Sequence, residues 1–255
     1  MLPLDERGSG EPVVLLHAGV ADRTMWREHL ERLAEAGQRG IALDLPGFGE
    51  APVSPGAQAP WEDVLRTLRG LDVGPVAMVG NSFGAAVALR VAAVAPASVR
   101  SLVLVSPPPL DEDPSPQLQA AWGAEEEALE RGDLDGAVEA VLGAWLGPEA
   151  PPALRDRVAS MQRRAFELQR AAADASEAPD PLELDPQALS RLAMPVLALA
   201  GEADMPDFKR GAEEIADAIP GARTEILSEA GHLAPLEAPD QFWNALRGFL
   251  ELGGA

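Results

Sequence analysis

Short apolar runs alternate with amphipathic stretches in the first and last parts of the chain. The runs predict six strands, at residues 13–17, 41–45, 76–80, 99–105, 195–200 and 223–227. Helical spacing predicts helices at residues 25–36, 61–71, 83–95, 209–218 and 241–252. Strands that alternate with helices are typical of an α/β fold with a mostly parallel, doubly wound sheet.

The alternation stops after the fourth strand. Residues 106–116 form a proline-rich, acidic stretch, and residues 117–170 carry helical patterns without a strand signal. We therefore predict one α/β core, residues 1–106 and 191–255, interrupted by a helical insertion at residues 107–190. This insertion is called the cap segment below.

Charge narrows the choice of partners. The 255 residues include 41 acidic and 20 basic side chains, a formal net charge of -21. Such a surface repels phosphate backbones and anionic lipid headgroups, so we expect neither a nucleic-acid nor a membrane partner. The expected partner is a small molecule, with the protein acting as a monomer or homodimer.

Cysteine is absent, which excludes disulfides, thiolate nucleophiles and cysteine metal ligands. The first ten residues carry no apolar run of the signal-peptide type, so we expect a cytoplasmic protein. No metal-ligand spacing, phosphate-binding glycine loop or dinucleotide fingerprint is present, and we predict no cofactor and no metal.

Residues 80–84 read G-x-S-x-G, with Ser82 at the centre. The string alone is a weak signal, but it lies directly after a predicted buried strand and opens a predicted helix. A serine at such a sharp turn is lifted above the strand ends, and the flanking glycines remove side chains that would clash. Ser82 is therefore the candidate nucleophile.

A serine hydroxyl needs a base, and the chain has three histidines. His29 lies beside Glu28 in an amphipathic helix, which indicates a surface residue. His17 ends the first strong strand, where it is better suited to shaping a loop. His232 follows the last predicted strand and faces the same edge of the sheet as Ser82, so it is the candidate base.

The base needs a carboxylate to orient it. The loop after the strand at 195–200 offers Asp204, which lies past the strand end and can turn toward the histidine loop. Glu202 and Asp207 remain as alternatives. The chain order Ser82, Asp204, His232 is the one expected of a single fold.

These motifs resemble the α/β-hydrolase family with a helical cap, over nearly the whole chain. The resemblance rests on residues 17–19, 44–49, 80–84, 201–204 and 231–239. It implies an oxyanion hole from the backbone N–H groups of Gly19 and Phe83, although Ala18 stands where relatives usually have glycine. Relatives commonly begin with further edge strands, whereas only residues 2–6 are available here, so we expect the sheet to be one strand short.

The resemblance implies a cofactor-free serine hydrolase that cleaves a small ester, lactone or related acyl substrate. The cap segment is expected to wall the pocket with four large apolar side chains: Trp122, Trp145, Met161 and Phe166. A hydrolase of carbon–carbon bonds in ring-fission products is an alternative, because the elbow resembles those enzymes. A non-catalytic ligand receptor on the same fold is another.

Overall fold

The computed structural model describes residues 1–110, 113–147, 149–172 and 175–251. Within these ranges the strands are β1 Leu4–Arg7, β2 Pro12–Leu16, β3 Arg39–Leu43, β4 Gly56–Gln58, β5 Val76–Asn81, β6 Val99–Val105, β7 Ala175–Glu177, β8 Val196–Gly201 and β9 Arg223–Leu227. The helices are α1 Arg27–Glu35, α2 Pro60–Gly70, α3 Phe83–Val94, α4 Pro116–Glu130, α5 Leu134–Trp145, α6 Pro152–Arg170, α7 Pro181–Leu184, α8 Pro206–Ala218, α9 Ala234–Glu237 and α10 Pro239–Phe249.

Seven strands form one sheet in the order β1-β3-β2-β5-β6-β8-β9. All neighbours in it run parallel except the edge pair β1 and β3. The predicted mostly parallel α/β sheet is confirmed, and the strands predicted at 99–105 and 223–227 have the observed bounds. The short segment near the amino terminus supplies the single antiparallel strand β1.

Successive residues of the central strands point to opposite faces of the sheet. On one face, Val13 and Leu15 of β2 pack in an apolar cluster with side chains of α1 and α10. On the other face, Val14 and Leu16 pack with α2, α3 and α8. Both faces are therefore covered, as the predicted doubly wound arrangement requires.

The stretch between β6 and β8 holds α4, α5, α6 and α7, so the helical content expected there is present. The sequence did not predict β7, which pairs in parallel with β4 as a separate two-stranded sheet. Each of these strands has three residues, too few to show a period of two. The division of the chain into a core and a separate cap unit stays a prediction.

The predicted helices differ from the observed ones by one to three residues at their ends, and the helix predicted at 209–218 begins earlier, at Pro206. The helix expected from residue 25 begins as a 3₁₀ turn, Arg23–Trp26, because the Asp22 side chain accepts from Thr24 N at 2.8 Å and starts the turn earlier. The last helix runs from Pro239 to Phe249, so it begins and ends earlier than the predicted range 241–252, whose last residue lies outside the described residues. Among the helices of the described ranges, none is long and apolar enough to cross a membrane.

His29 is not on the surface, and that prediction is wrong. Its side chain is buried in α1, its Nε2 lies 2.9 Å from Pro235 O, and its ring centroid is 4.8 Å from that of Phe242. Glu28 points to solvent from the neighbouring position, but the helix turns by about 100° per residue and so directs His29 inward. The charged neighbour indicated the wrong side of the helix.

Burial lowers the pKa of His29 to about 4, whereas the pKa of histidine in an unfolded chain is about 6.5. Between these values the unfolded chain binds the proton and the folded protein does not, so stability falls as pH falls from about 6.5 to about 4, by up to about 3 kcal/mol. We expect urea titrations at pH 7 and pH 4.5 to show this loss. His29→Gln keeps a donor for Pro235 O without titrating, so it is destabilised less by acid than the wild type. An equal loss of unfolding free energy in both proteins would contradict the assignment.

Candidate active site

Ser82 occupies a strained turn between β5 and α3. Its backbone angles are φ 53° and ψ -113°, and its N–H donates to Val105 O at 2.8 Å. A non-glycine residue at positive φ is uncommon and costly, and such strain is concentrated at functional sites. A Cβ on Gly80 would overlap the Gly84 carbonyl, which explains the glycine spacing predicted to matter at this turn.

The loop after β2 lies directly against this turn. A Cβ on Gly84 would overlap the carbonyl oxygens of Leu16 and His17, and a Cβ on Gly19 would lie 3.4 Å from that of Phe83. Phe83 is the first residue of α3, and the first N–H groups of a helix have no partner inside it. The structure therefore brings Gly19 and Phe83 together, next to Ser82.

His17 holds this loop to the end of β3. Its Nδ1–H donates to Ala18 O at 2.8 Å, and its Nε2 accepts from Leu45 N at 2.9 Å. Burial lowers the pKa of His17, which favours the neutral ring that these two bonds require. Both ring nitrogens are occupied by the backbone, so His17 shapes the loop, as expected.

His232 and Asp204 form a buried pair. His232 Nδ1 lies 3.0 and 3.2 Å from the two carboxylate oxygens of Asp204, and Asp204 Oδ1 also accepts from Met205 N at 2.8 Å. A carboxylate beside Nδ1 places the proton of the neutral ring on that nitrogen, so Nε2 is left as an acceptor. This is the tautomer that a general base needs.

The two alternative acids are excluded from this role by position. Glu202 is exposed. Asp207 is buried, but it accepts from Ser115 N at 2.7 Å and from Ser115 Oγ at 2.6 Å. Burial works against its charge, yet these hydrogen bonds hold the pKa of Asp207 below its ordinary value. Asp207 therefore ties α8 to the start of α4, and Asp204 is the acid that pairs with His232.

Asn81 links the serine turn to the histidine loop. Its Nδ2 donates to His232 O at 3.1 Å and to Val105 O at 3.2 Å. In the described part of the chain, the Ser82 hydroxyl itself makes no hydrogen bond to the His232 ring. The sequence analysis treated residue 81 as a variable position of the motif and so missed this role. The amide side chain of Asn81 was the available signal for it.

Aromatic rings flank His232 on two sides. Its ring centroid lies 4.6 Å from that of Trp145, at the end of α5, and 4.3 Å from that of Phe208 in α8. Trp145 therefore contacts the candidate base, whereas Trp122 makes no ring contact with it in the described part of the chain and stays a predicted pocket residue. Trp122 is 50% exposed on α4, because the buried stripe of that helix runs through other residues.

Met161 and Phe166, the other two predicted wall residues, are buried in α6. Met161 Sδ lies 3.6 Å from Thr24 Oγ1, which places it against the 3₁₀ turn. Two cavities of about 650 and 350 Å³ lie elsewhere, one between β9 and α10 and one beside Pro235, and Ser82 borders neither. Cavity size by itself therefore does not mark this site.

Glu237 joins the histidine loop to the cap segment. Its Oε2 accepts from Leu233 N at 2.9 Å, and its Oε1 accepts from Gly147 N at 2.8 Å. Leu233 follows His232, and Gly147 comes two residues after Trp145. The carboxylate thus holds together the two segments that meet at the His232 ring. The sequence analysis had included residue 237 in a family motif without predicting this role.

The chain matches the family described as "alpha/beta hydrolase fold" over residues 11–239. It is 33% identical over 256 residues to polyketide synthase ThaQ of Burkholderia thailandensis, covering 96% of this chain but 12% of that protein. It is 36% identical over 129 residues to 2-hydroxy-6-oxo-2,4-heptadienoate hydrolase of Pseudomonas putida, covering 48% and 46% of the two chains. The chain thus aligns with less than two thirds of the length of either relative.

A solved thermophilic esterase from Thermogutta terrifontis is similar throughout, with a TM-score of 0.77, 26% identity, and coverage of 98% of this chain and 93% of that one. The chain therefore belongs to the alpha/beta-hydrolase family. This confirms the family that the motifs predicted.

Glu237→Gln tests the connection between the histidine loop and the cap segment. Glutamine has one acceptor oxygen, so one of the two backbone N–H groups loses its partner, at a cost of about 1–3 kcal/mol. We expect faster hydrogen exchange, by mass spectrometry, in peptides that contain Gly147 and Leu233. Glu229→Gln, an exposed change in the same loop, is the control and leaves exchange unchanged. Wild-type exchange in Glu237→Gln would show that the carboxylate does not hold these segments.

Proposed function

We propose that the protein is a cofactor-free serine hydrolase that cleaves a small, neutral ester, lactone or related acyl compound. The observation that carries this proposal is the strained Ser82 turn, joined through Asn81 to a buried His232–Asp204 pair. Strain at a serine, a base in the required tautomer and a buried orienting carboxylate together suit nucleophilic catalysis.

In the first half-reaction, His232 Nε2 takes the proton of Ser82 as Oγ attacks the substrate carbonyl carbon. Asp204 holds the resulting imidazolium through Nδ1. The carbonyl electron pair moves to oxygen, which accepts hydrogen bonds from the N–H groups of Gly19 and Phe83; donors of this kind are worth about 3 kcal/mol each. The tetrahedral intermediate collapses, His232 protonates the leaving alkoxide, and an acyl-enzyme remains.

In the second half-reaction, water replaces the alcohol. His232 removes a proton from the water, whose oxygen attacks the acyl carbon. The same two backbone N–H groups stabilise the second oxyanion. Collapse returns the proton from His232 to Ser82 and releases the carboxylic acid, so the enzyme is restored without an oxidant, a metal or a cofactor.

The preference for a neutral substrate rests on charge. The net charge of -21 slows the approach of anions unless local cations reverse the field. Three of the five arginines on α6 have partners outside the Ser82 turn and the His232 loop: Arg155 lies 3.5 Å from Glu139, Arg163 pairs with Asp135, and Arg157 donates to Thr24 O. Their pairing supports an uncharged acyl pocket.

Two alternatives are kept. Similarity to the Pseudomonas putida heptadienoate hydrolase over half the chain favours carbon–carbon cleavage of a ring-fission acid. Comparing kcat/KM for short neutral esters with that for a ring-fission diketo acid, at low and high salt, distinguishes the two reactions. A non-catalytic receptor on the same fold would turn over none of these compounds.

Serine labelling tests the nucleophile. We expect a serine-directed phosphonate to form one covalent adduct, on Ser82, because this serine lies in the strained strand-to-helix turn that Asn81 links to the His232 loop. Peptide mass spectrometry locates the adduct, and Ser82→Ala abolishes both labelling and ester turnover. An adduct on another serine, or full turnover by Ser82→Ala, would disprove the assignment.

The base and its acid are tested together. We expect His232→Ala and Asp204→Asn each to lower kcat for a model ester by several orders of magnitude, the scale found when triad members are removed. Glu202→Gln is the matched control in the same loop and keeps activity near the wild-type value. If Glu202→Gln loses activity and Asp204→Asn keeps it, the orienting acid is Glu202 and not Asp204.

A further inference from the structure

Gln162 is a buried polar residue of α6. It is 3% exposed, and its Oε1 has no hydrogen-bond partner among the described residues. Buried polar groups are nearly always paired, and one left unpaired costs about 1–3 kcal/mol. The amide therefore lacks the partner that its burial requires.

The contacts of α6 show where Gln162 points. Arg157 and Met161 contact Thr24, so that side of the helix faces the 3₁₀ turn. Arg155 and Arg163 pair with acids of α5, so another side faces α5. At about 100° per residue, position 162 lies between these two sides. Gln162 therefore faces the interior enclosed by α5, α6 and the sheet.

Two sets of contacts join the segments around this interior to the serine turn and the histidine loop. On the same stripe of α6, a Cβ on Gly47 would lie 3.3 Å from Gln169 Cγ, and the next residue, Phe48, has its ring centroid 5.7 Å from that of Phe83. On the α5 side, Trp145 lies over the His232 ring. Gln162 thus lies on the buried side of α6, and the segments that flank this side contact the serine turn and the histidine loop.

We propose that Gln162 determines specificity by hydrogen bonding a neutral oxygen of the substrate, at a distance from the scissile carbonyl. The amide can present either its carbonyl or its NH₂, so a ketone, ether or hydroxyl oxygen fits. A buried anion would need a cation, whereas an amide compensates a neutral polar atom. The substrate is therefore an acyl compound with a second oxygen function, an inference that rests on the proposed hydrolase function.

The test compares Gln162→Leu with the wild type on straight-chain p-nitrophenyl esters and on ether analogues with oxygen at successive chain positions. We expect the wild type to prefer one ether position, and Gln162→Leu to lower that preference by about tenfold, the effect of one neutral hydrogen bond. The plain alkyl ester, which lacks the second oxygen, is the reference from which this preference is calculated. Gln117→Leu, at an exposed glutamine of α4 in the same cap segment, is the control and keeps the wild-type preference.

Two measurements are independent of turnover. Gln162→Leu replaces an unpaired buried amide with an apolar side chain, so we expect a higher Tm. In a Ser82→Ala background, calorimetry with non-hydrolysable amide analogues of the same chains should show the ether preference with Gln162 and its loss with leucine. Absence of turnover together with this preference would refute the hydrolase proposal alone. An unchanged preference, a lower Tm or failure to fold in Gln162→Leu would overturn the inference about Gln162.

Discussion

The fold depends most on the close approach of backbones around Ser82. Gly80 and Gly84 meet with no room for a Cβ on either, and Gly84 also touches the carbonyls at the end of β2. These contacts hold Ser82 at positive φ, a conformation that costs about 1–3 kcal/mol unless the surroundings impose it. The central position of β5, hydrogen bonded to β2 and β6, supplies that rigidity.

The same edge of the sheet fixes the other candidate catalytic groups. A Cβ on Gly201 would overlap the carbonyls of Ala230 and Gly231, so the loops after β8 and β9 lie in direct contact. Ala203 N donates to Ala230 O at 3.0 Å, one residue before Asp204. Asp204 and His232 thus meet because two neighbouring parallel strands end together, and Asn81 brings the third strand into the arrangement.

The cap segment is hydrogen bonded to the two segments of the chain that carry Asp204 and His232. Ser115 at its start binds Asp207 three residues after Asp204, and Gly147 binds Glu237 five residues after His232. Apolar residues of α5 and α6 belong to the same buried cluster as one face of the sheet. Displacement of this segment would therefore change the surroundings of His232, because Trp145 moves with it.

Local spacing in the sequence predicted the alternation of strands and helices and the turn at Ser82, because these depend on short-range periodicity and on glycines at fixed positions. It also left His232 as the candidate base, whereas the order of the strands within the sheet comes from the tertiary structure. Only the tertiary structure distinguished Asp204 from Glu202 and Asp207, since acids a few residues apart differ only in the direction of the turn. The tertiary structure also determined the burial of His29, whose partner Pro235 is 206 positions away in the chain. It likewise determined the exposure of the apolar Trp122 ring. Gln162 is polar in the sequence, and its burial in α6 depends on how α5 and α6 pack over the sheet.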